Sequence, residues 1–206
     1  MSLDDWHLVF VSVCLVLVLG ACAPVAMAYL PRRGEPFMAL AVLGEEGMAE
    51  KYYPGDDPSI GVGEEVHWTL YLYNHMGSAQ YVSIRFKLLN STMSAPNSTS
   101  CLPGSGPVFF EVRRVLMDNE TLLQPFSWSI VDVGRVGDSV MIEGLSVNGD
   151  YIKTDSIAEN GSNFRIILEL WVYNTDLRDF RFGWSYDDEL RCAWNQIWFN
   201  ATLTSG

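Results

Sequence analysis

Val66-His67-Trp68-Thr69-Leu70-Tyr71-Leu72-Tyr73-Asn74 is the stretch that decides the fold class of this chain. Val66, Trp68, Leu70 and Leu72 alternate with His67, Thr69, Tyr71 and Tyr73. Successive side chains of a strand point to opposite faces, so the alternation gathers one apolar row on one face. A turn over His75-Met76-Gly77-Ser78-Ala79-Gln80 leads into Tyr81 to Leu89, where Val82, Ile84, Phe86 and Leu88 alternate with Ser83, Arg85 and Lys87. The two segments are expected to pair as an antiparallel hairpin with one buried and one wet face.

Phe164 to Tyr173 repeats the pattern. Phe164, Ile166, Leu168, Leu170 and Val172 share one face, and Arg165, Ile167, Glu169, Trp171 and Tyr173 share the other. The aromatic pair on that second face predicts contact with a neighbouring element. Further strands are expected at Phe37–Leu43, Val108–Leu116, Phe126–Val133, Ser139–Val147, Phe180–Ser185 and Gln196–Leu203. Asn148-Gly149 is a favoured two-residue hairpin turn, because both positions tolerate positive φ, and it predicts that Tyr151 to Thr154 folds back.

The intervening segments read as turns and loops. Tyr52-Tyr53-Pro54-Gly55-Asp56-Asp57-Pro58 carries turn chemistry, and Asp187-Asp188-Glu189 reads as an acidic bend. Asn90 to Pro107, rich in Ser, Thr, Pro and Gly, has no composition for a core. About nine short strands separated by turn signals predict an all-β, antiparallel β-sandwich of immunoglobulin-like or jelly-roll-like type. One domain over 37–206 is preferred to two small sandwiches split between Asn90 and Val108.

Upstream, Leu8 to Leu30 (LVFVSVCLVLVLGACAPVAMAYL) has no charged side chain. A bilayer core of about 30 Å needs about 20 apolar residues, so this run predicts a transmembrane helix after a short tail (1–7) and before a short linker (31–36). A cleaved signal peptide would carry a basic n-region, whereas Met1 to His7 is acidic. Leu19-Gly20-Ala21-Cys22 matches a lipobox, and Cys14 and Cys22 also suit the apolar interior of a helix.

Orientation divides the signals. Arg32 and Arg33 follow the segment and would place the C-terminal part in the cytoplasm by the positive-inside rule. Five Asn-X-Ser/Thr acceptors, at Asn90, Asn97, Asn119, Asn160 and Asn200, favour an extracytoplasmic domain and a single-pass protein of the cell membrane. Cys101 and Cys192 agree: they are an even pair with no metal-type spacing, and a disulfide between them is expected, the alternative being two unrelated buried thiols.

The chain carries 25 acidic and 13 basic residues, net −12. Phosphate binding needs clustered positive charge, so a nucleic-acid partner is not expected. The same charge would repel the domain from anionic headgroups.

Phe37-Met38-Ala39-Leu40-Ala41-Val42-Leu43-Gly44, Gly47-Met48-Ala49, Tyr53-Pro54, Ile60-Gly61-Val62-Gly63-Glu64-Glu65, Tyr73-Asn74-His75 and Tyr81-Val82 together resemble the domain of unknown function 1616 family, membrane-anchored proteins found largely in archaea. The likeness spans about residues 35 to 90. Two features depart from it: the chain has one predicted helix where members often have several, and Met76 stands where an acidic residue commonly follows Asn-His. The resemblance implies an extracytoplasmic β-sandwich with no assigned activity or catalytic residues.

The chain has no Gly-x-Ser-x-Gly, His-Glu-x-x-His, phosphate-loop or dinucleotide signature. His67 and His75 with Asp56, Asp57, Asp187, Asp188 or Glu189 would be the groups of a metal-dependent hydrolase. The acidic bend lacks the spaced oxygen ligands of a recognised calcium loop. No catalytic, cofactor or metal residue is therefore assigned, and the expected role is a non-enzymatic structural or protein-interaction module of the envelope, or an accessory subunit of a membrane complex. The alternative is a glycan-binding or glycan-assembly accessory, with Trp184, Tyr186, Trp194 and Trp198 as candidate glycan contacts, although tryptophans in sandwiches commonly pack between sheets.

Overall fold

The computed structural model describes residues 3–29 and 34–203. These belong to two compact units, 1–35 and 36–206.

In the first unit, helix α1 covers Leu3–Tyr29 over 27 residues, beginning before the expected Leu8; Leu30, Arg32 and Arg33 lie outside the described residues. Leu15, Val16, Leu17 and Val18 are all more than half exposed. Four consecutive positions, about 100° apart on a helix, reach round its whole circumference. Among the described residues no helix is long and apolar enough to cross a membrane.

The second unit is built almost wholly of strands. The first sheet has the order β1-β3-β6-β7-β8: β1 (Phe37–Leu43), β3 (Glu65–His75), β6 (Thr121–Val136), β7 (Ser139–Val147) and β8 (Asp150–Glu159). The second runs β2-β13-β9-β4-β5, with β10 also paired to β9: β2 (Ser59–Gly61), β13 (Trp194–Thr202), β9 (Phe164–Asn174), β4 (Gln80–Leu89), β5 (Val108–Leu116) and β10 (Asp179–Phe182). A separate hairpin joins β11 (Trp184–Tyr186) to β12 (Glu189–Arg191).

The apolar rows read from the alternation form the filling between the sheets. Phe86 of the second sheet meets Phe126 of the first at 5.3 Å between ring centroids. Trp128 of the first meets Phe199 of the second at 5.1 Å. Trp68, Leu70, Leu72, Ile84, Ile166, Leu168 and Leu170 complete a core that is nearly solvent-free. The fold is a β-sandwich.

Three expectations are corrected. The segments Val66–Asn74 and Tyr81–Leu89 do not form a hairpin: β3 pairs with β1 and β6, and β4 pairs with β5 and β9. Each presents one apolar face, and placing them in different sheets sets those faces against each other across the core. Asn74 fixes the crossing. It is fully buried, and its Nδ2 donates to the carbonyls of Ser78, Leu116 and Met117 while its Oδ1 accepts from the Met76 N–H.

The stretch Phe180–Ser185 is broken at Gly183. There φ is +77° and an added Cβ would lie 2.0 Å from the Arg191 carbonyl, so the chain leaves the sheet for the β11–β12 hairpin. The acidic bend is the turn of that hairpin, with Asp187 and Asp188 both at positive φ. The sandwich is also not wholly antiparallel, since β2 runs parallel to β13.

The Asn148-Gly149 turn forms as its chemistry dictates, with φ of +53° and +89°, and β8 returns along β7 well past Thr154.

Candidate functional site

The outward-facing side chains of the second sheet make the chemically richest surface. Cross-strand register aligns Tyr81 with Val115, Ser83 with Arg113 and Trp171, and Arg85 with Glu111 and Glu169. It also sets Phe180 beside Tyr173, Phe182 beside Trp171, Trp194 beside Glu169 and Trp198 beside Arg165. This face divides into a covered half and an open half.

The loop 90–107 covers one half. Lys87 Nζ donates to the Gly104 carbonyl at 2.7 Å and reaches the Glu169 carboxylate at 3.0 Å, with side-chain exposures of 6% and 0%. The Gly104 N–H and the Trp171 Nε1–H also donate to Glu169, at 2.6 and 3.0 Å. A Cβ on Gly104 would crowd Pro96, the Ser94 carbonyl and Glu169 at 3.1 to 3.3 Å, so a small residue permits this approach. Arg165 donates to the Met93 carbonyl and to Gln196, and its guanidinium lies 4.6 Å from the Trp198 ring centroid. Burial lowers the proton affinity of that guanidinium. Buried charges need partners, and here the loop backbone supplies several.

The same loop brings the two cysteines together. Cys101 Sγ and Cys192 Sγ lie 3.7 and 3.9 Å from one acceptor, the Ser98 carbonyl, and Trp194 Nε1 donates to Ser98 Oγ at 2.9 Å. The expected covalent bond is not present: both are free thiols, packed on a shared backbone acceptor. Burial, then the adjacent Cys101 thiol and the Glu169 charge, push the Cys192 thiol up to about 12.

The open half carries an aromatic triad. The ring centroids of Tyr81 and Phe180 are 5.0 Å apart, those of Tyr173 and Phe180 5.5 Å, and those of Tyr81 and Tyr173 5.8 Å. Tyr81 is 39% exposed, Tyr173 36% and neighbouring Val115 62%. Arg85 stacks on Trp171 at 4.0 Å and Arg113 on Phe180 at 5.2 Å. Both arginines meet Glu111, which also accepts from Ser83 Oγ at 2.6 Å. Burial alone would raise the Glu111 carboxyl, but hydrogen bonds from Ser83, Arg113 and Arg85 outweigh it and hold the group below its ordinary range. Beside the triad an open hollow of about 460 Å³ is lined by Trp171, Phe180, Phe182, Leu177, Asp179 and Arg181, among others.

The residues expected to contact glycan do not assemble. Trp184 is 8% exposed and packs in the core, and Arg191 stacks on Tyr186 at 5.1 Å. Trp194 is tied to Ser98, and Trp198, 40% exposed, pairs with Arg165. The aromatic surface that does form is centred on Tyr81, Tyr173 and Phe180. Its sequence signal was the aromatic pair Trp171 and Tyr173, and β10 is the neighbouring element that pair required.

His67 and His75 do not meet two carboxylates. His67 Nε2 lies 3.7 Å from Glu65, and His75 Nδ1 lies 2.6 Å from Asn119 Oδ1. Among the described residues no group of three or more His, Cys, Asp or Glu side chains could hold a metal ion.

The glycosylation acceptors differ in their surroundings. Asn90 Nδ2 donates to the Ile157 carbonyl at 2.7 Å, Asn119 Nδ2 to Asp118 at 2.9 Å, and Asn200 Oδ1 accepts from the Asn163 N–H. Asn97 and Asn160 are exposed.

No family model matches the chain, and no curated protein sequence matches it. Solved structures do. The chain is similar to the CARDB domain of the PF1109 protein from Pyrococcus furiosus, crystallised in complex with di-metal ions, at 9% identity and a TM-score of 0.39 over 82% of this chain and 90% of that one. The solution structure of the same domain gives 12% identity and 0.39 over 81% and 94%. Spo0M, a sporulation control protein from Bacillus subtilis, gives 9% identity and 0.35 over 80% of this chain and 49% of that one.

Proposed function

We propose that this chain is a membrane-anchored, extracytoplasmic β-sandwich that works as a non-enzymatic interaction module, docking an envelope or membrane protein through the open half of its second sheet. The observation that carries this reading is the Tyr81–Phe180–Tyr173 cluster, with both tyrosines exposed, Phe180 half-buried between them and Arg85 and Arg113 stacked into it. Tyrosine and arginine are over-represented where protein interfaces hold most of their binding energy, and these two arginines interrupt the surface of a chain with net charge −12.

Anchoring rests on the charge-free run Leu8 to Leu30 and on the apolar circumference at Leu15 to Val18. The five acceptor sites support the extracytoplasmic placement, as does the meeting of the only two cysteines after residue 30 at Ser98. In an oxidising compartment that pair would close as a disulfide. The resemblance to the domain of unknown function 1616 family points the same way.

The test is purification of the tagged full-length protein from its native membrane in mild detergent. One partner is expected in constant ratio, with its retention reduced at least about thirtyfold by Phe180→Glu, the scale of a hot-spot loss. Recovery of the protein alone, or a partner indifferent to that substitution in a folded variant, overturns the reading.

A second reading, glycan binding, draws on the hollow beside the triad, where Trp171, Phe180 and Phe182 stand next to Asp179 and Arg181. Aromatic faces with nearby hydrogen-bonding side chains suit sugar rings. Binding on a glycan array that is lost in Trp171→Ala would favour this reading over a protein partner.

A further inference from the structure

The sandwich has an open seam away from the aromatic face. β8 is the last strand of the first sheet and β5 the last of the second, so two unpaired edges lie near each other on one side of the fold. Each edge is interrupted by a bulge. Pairing of β4 with β5 slips between Phe86 and Lys87, leaving Phe109 as the additional residue. Pairing of β7 with β8 slips between Ile142 and Gly144, where Thr154 and Asp155 stand opposite Glu143 alone.

Both bulges open onto one hollow of about 290 Å³. Its two walls differ. Leu88, Val108 and Phe109 make an apolar wall, with Phe109 held by the Phe86 ring at 6.3 Å, and β8 supplies Lys153, Asp155 and Ser156 opposite. Ser156 is 7% exposed and its hydroxyl has no hydrogen-bond partner, whereas the neighbouring Thr154 hydroxyl donates to the Ile142 carbonyl at 2.7 Å. A buried hydroxyl without a partner is costly, and a ligand group that meets it recovers that cost. Bulges on edge strands redirect side chains and are frequent beside binding sites.

We propose that the β5–β8 seam is a binding site for a small neutral amphiphile: an aromatic or short aliphatic body against Leu88, Val108 and Phe109, with one hydroxyl group hydrogen-bonded to Ser156. Lys153 and Asp155 line the hollow with opposite charges, so the site selects neither an anion nor a cation. The size is at the lower end for ligand cavities and suits a ligand of a single ring.

The experiment titrates p-cresol and toluene into full-length protein carrying labelled Leu and Val methyl groups, following the Leu88 and Val108 signals. Saturable shifts are expected, with p-cresol binding about tenfold more tightly than toluene, the worth of one hydrogen bond. In Ser156→Ala the two ligands are expected to bind alike, and in Val108→Trp neither is expected to bind. Shifts that do not saturate, equal binding of the two ligands in the native protein, or a hydroxyl preference that survives Ser156→Ala would each overturn the proposal.

Discussion

Lys87 Nζ and the Glu169 carboxylate lie 3.0 Å apart beneath the loop 90–107, withdrawn from water, and the backbone of Gly104 both accepts from the lysine and donates to the glutamate. The pair thereby fastens a loop with no apolar core of its own to the outer face of a sheet.

Removing one partner leaves the other as a buried charge without compensation. Glu169→Gln is expected to lower stability by about 3 to 5 kcal/mol, while Lys87→Met with Glu169→Leu recovers much of that loss because the desolvation cost of both ions disappears. Urea unfolding midpoints check this. Protease cleavage within 90–107 should rise in the single variant.

Asn74 is expected to be as sensitive as a core apolar residue. Asn74→Ala removes the amide donor from the carbonyls of Ser78, Leu116 and Met117, of which the Met117 carbonyl still accepts from the Glu120 N–H. A loss of about 3 kcal/mol is expected from unpaired groups of this kind. The thermal midpoint should fall, with the native circular dichroism spectrum retained below it.

Cys192 holds its proton in the folded state to about 12, above the ordinary thiol value of 9.0. Between those values the unfolded chain binds fewer protons than the folded one, so this group makes stability fall as pH rises through that window and leaves it unchanged below. Alkylation of Cys192 by iodoacetamide in the reduced protein should therefore be slow at pH 7.5 and climb steadily above pH 9. A rate like that of a free thiol at pH 7.5 would contradict the burial.

Oxidation of the same pair closes a long loop and is expected to stabilise the domain by about 4 to 5 kcal/mol on the chain-entropy account. The check is the urea midpoint with and without dithiothreitol, using Cys101→Ser as the control that removes the difference.

Glycan occupancy should follow the local hydrogen bonds. Asn97 and Asn160 are exposed and are expected to be modified when the chain is made in a glycosylating secretory system. Asn90, whose amide is committed to the Ile157 carbonyl, is expected to be poorly occupied. Glycopeptide mass spectrometry reads the ratio directly.

The alternation in β3, β4 and β9 was legible because a strand's period of two is a local property, as was the Asn148-Gly149 turn. The assignment of β3 and β4 to different sheets was not. A turn of six residues permits either a hairpin or a crossing, and the choice rests on Asn74 bonding to backbone more than 40 residues away. Asp187-Asp188 is the exposed bend its composition predicts, but the β11–β12 hairpin it closes was not legible, because that hairpin depends on Gly183 packing against the Arg191 carbonyl.

What the sequence by itself determined was the strand content, the apolar filling and the apolar N-terminal run, all set by side-chain periodicity and composition over short spans. Only the tertiary structure decided the character of the outer face. Ser83, Arg85 and Lys87 share one alternation and read alike as solvent-facing, yet Lys87 and Ser83 are buried. Lys87 is covered because the loop 90–107 folds back on it and β9 brings Glu169 from 82 residues away. Burial of a charge depends on partners that arrive from elsewhere in the chain, and no local pattern encodes their arrival.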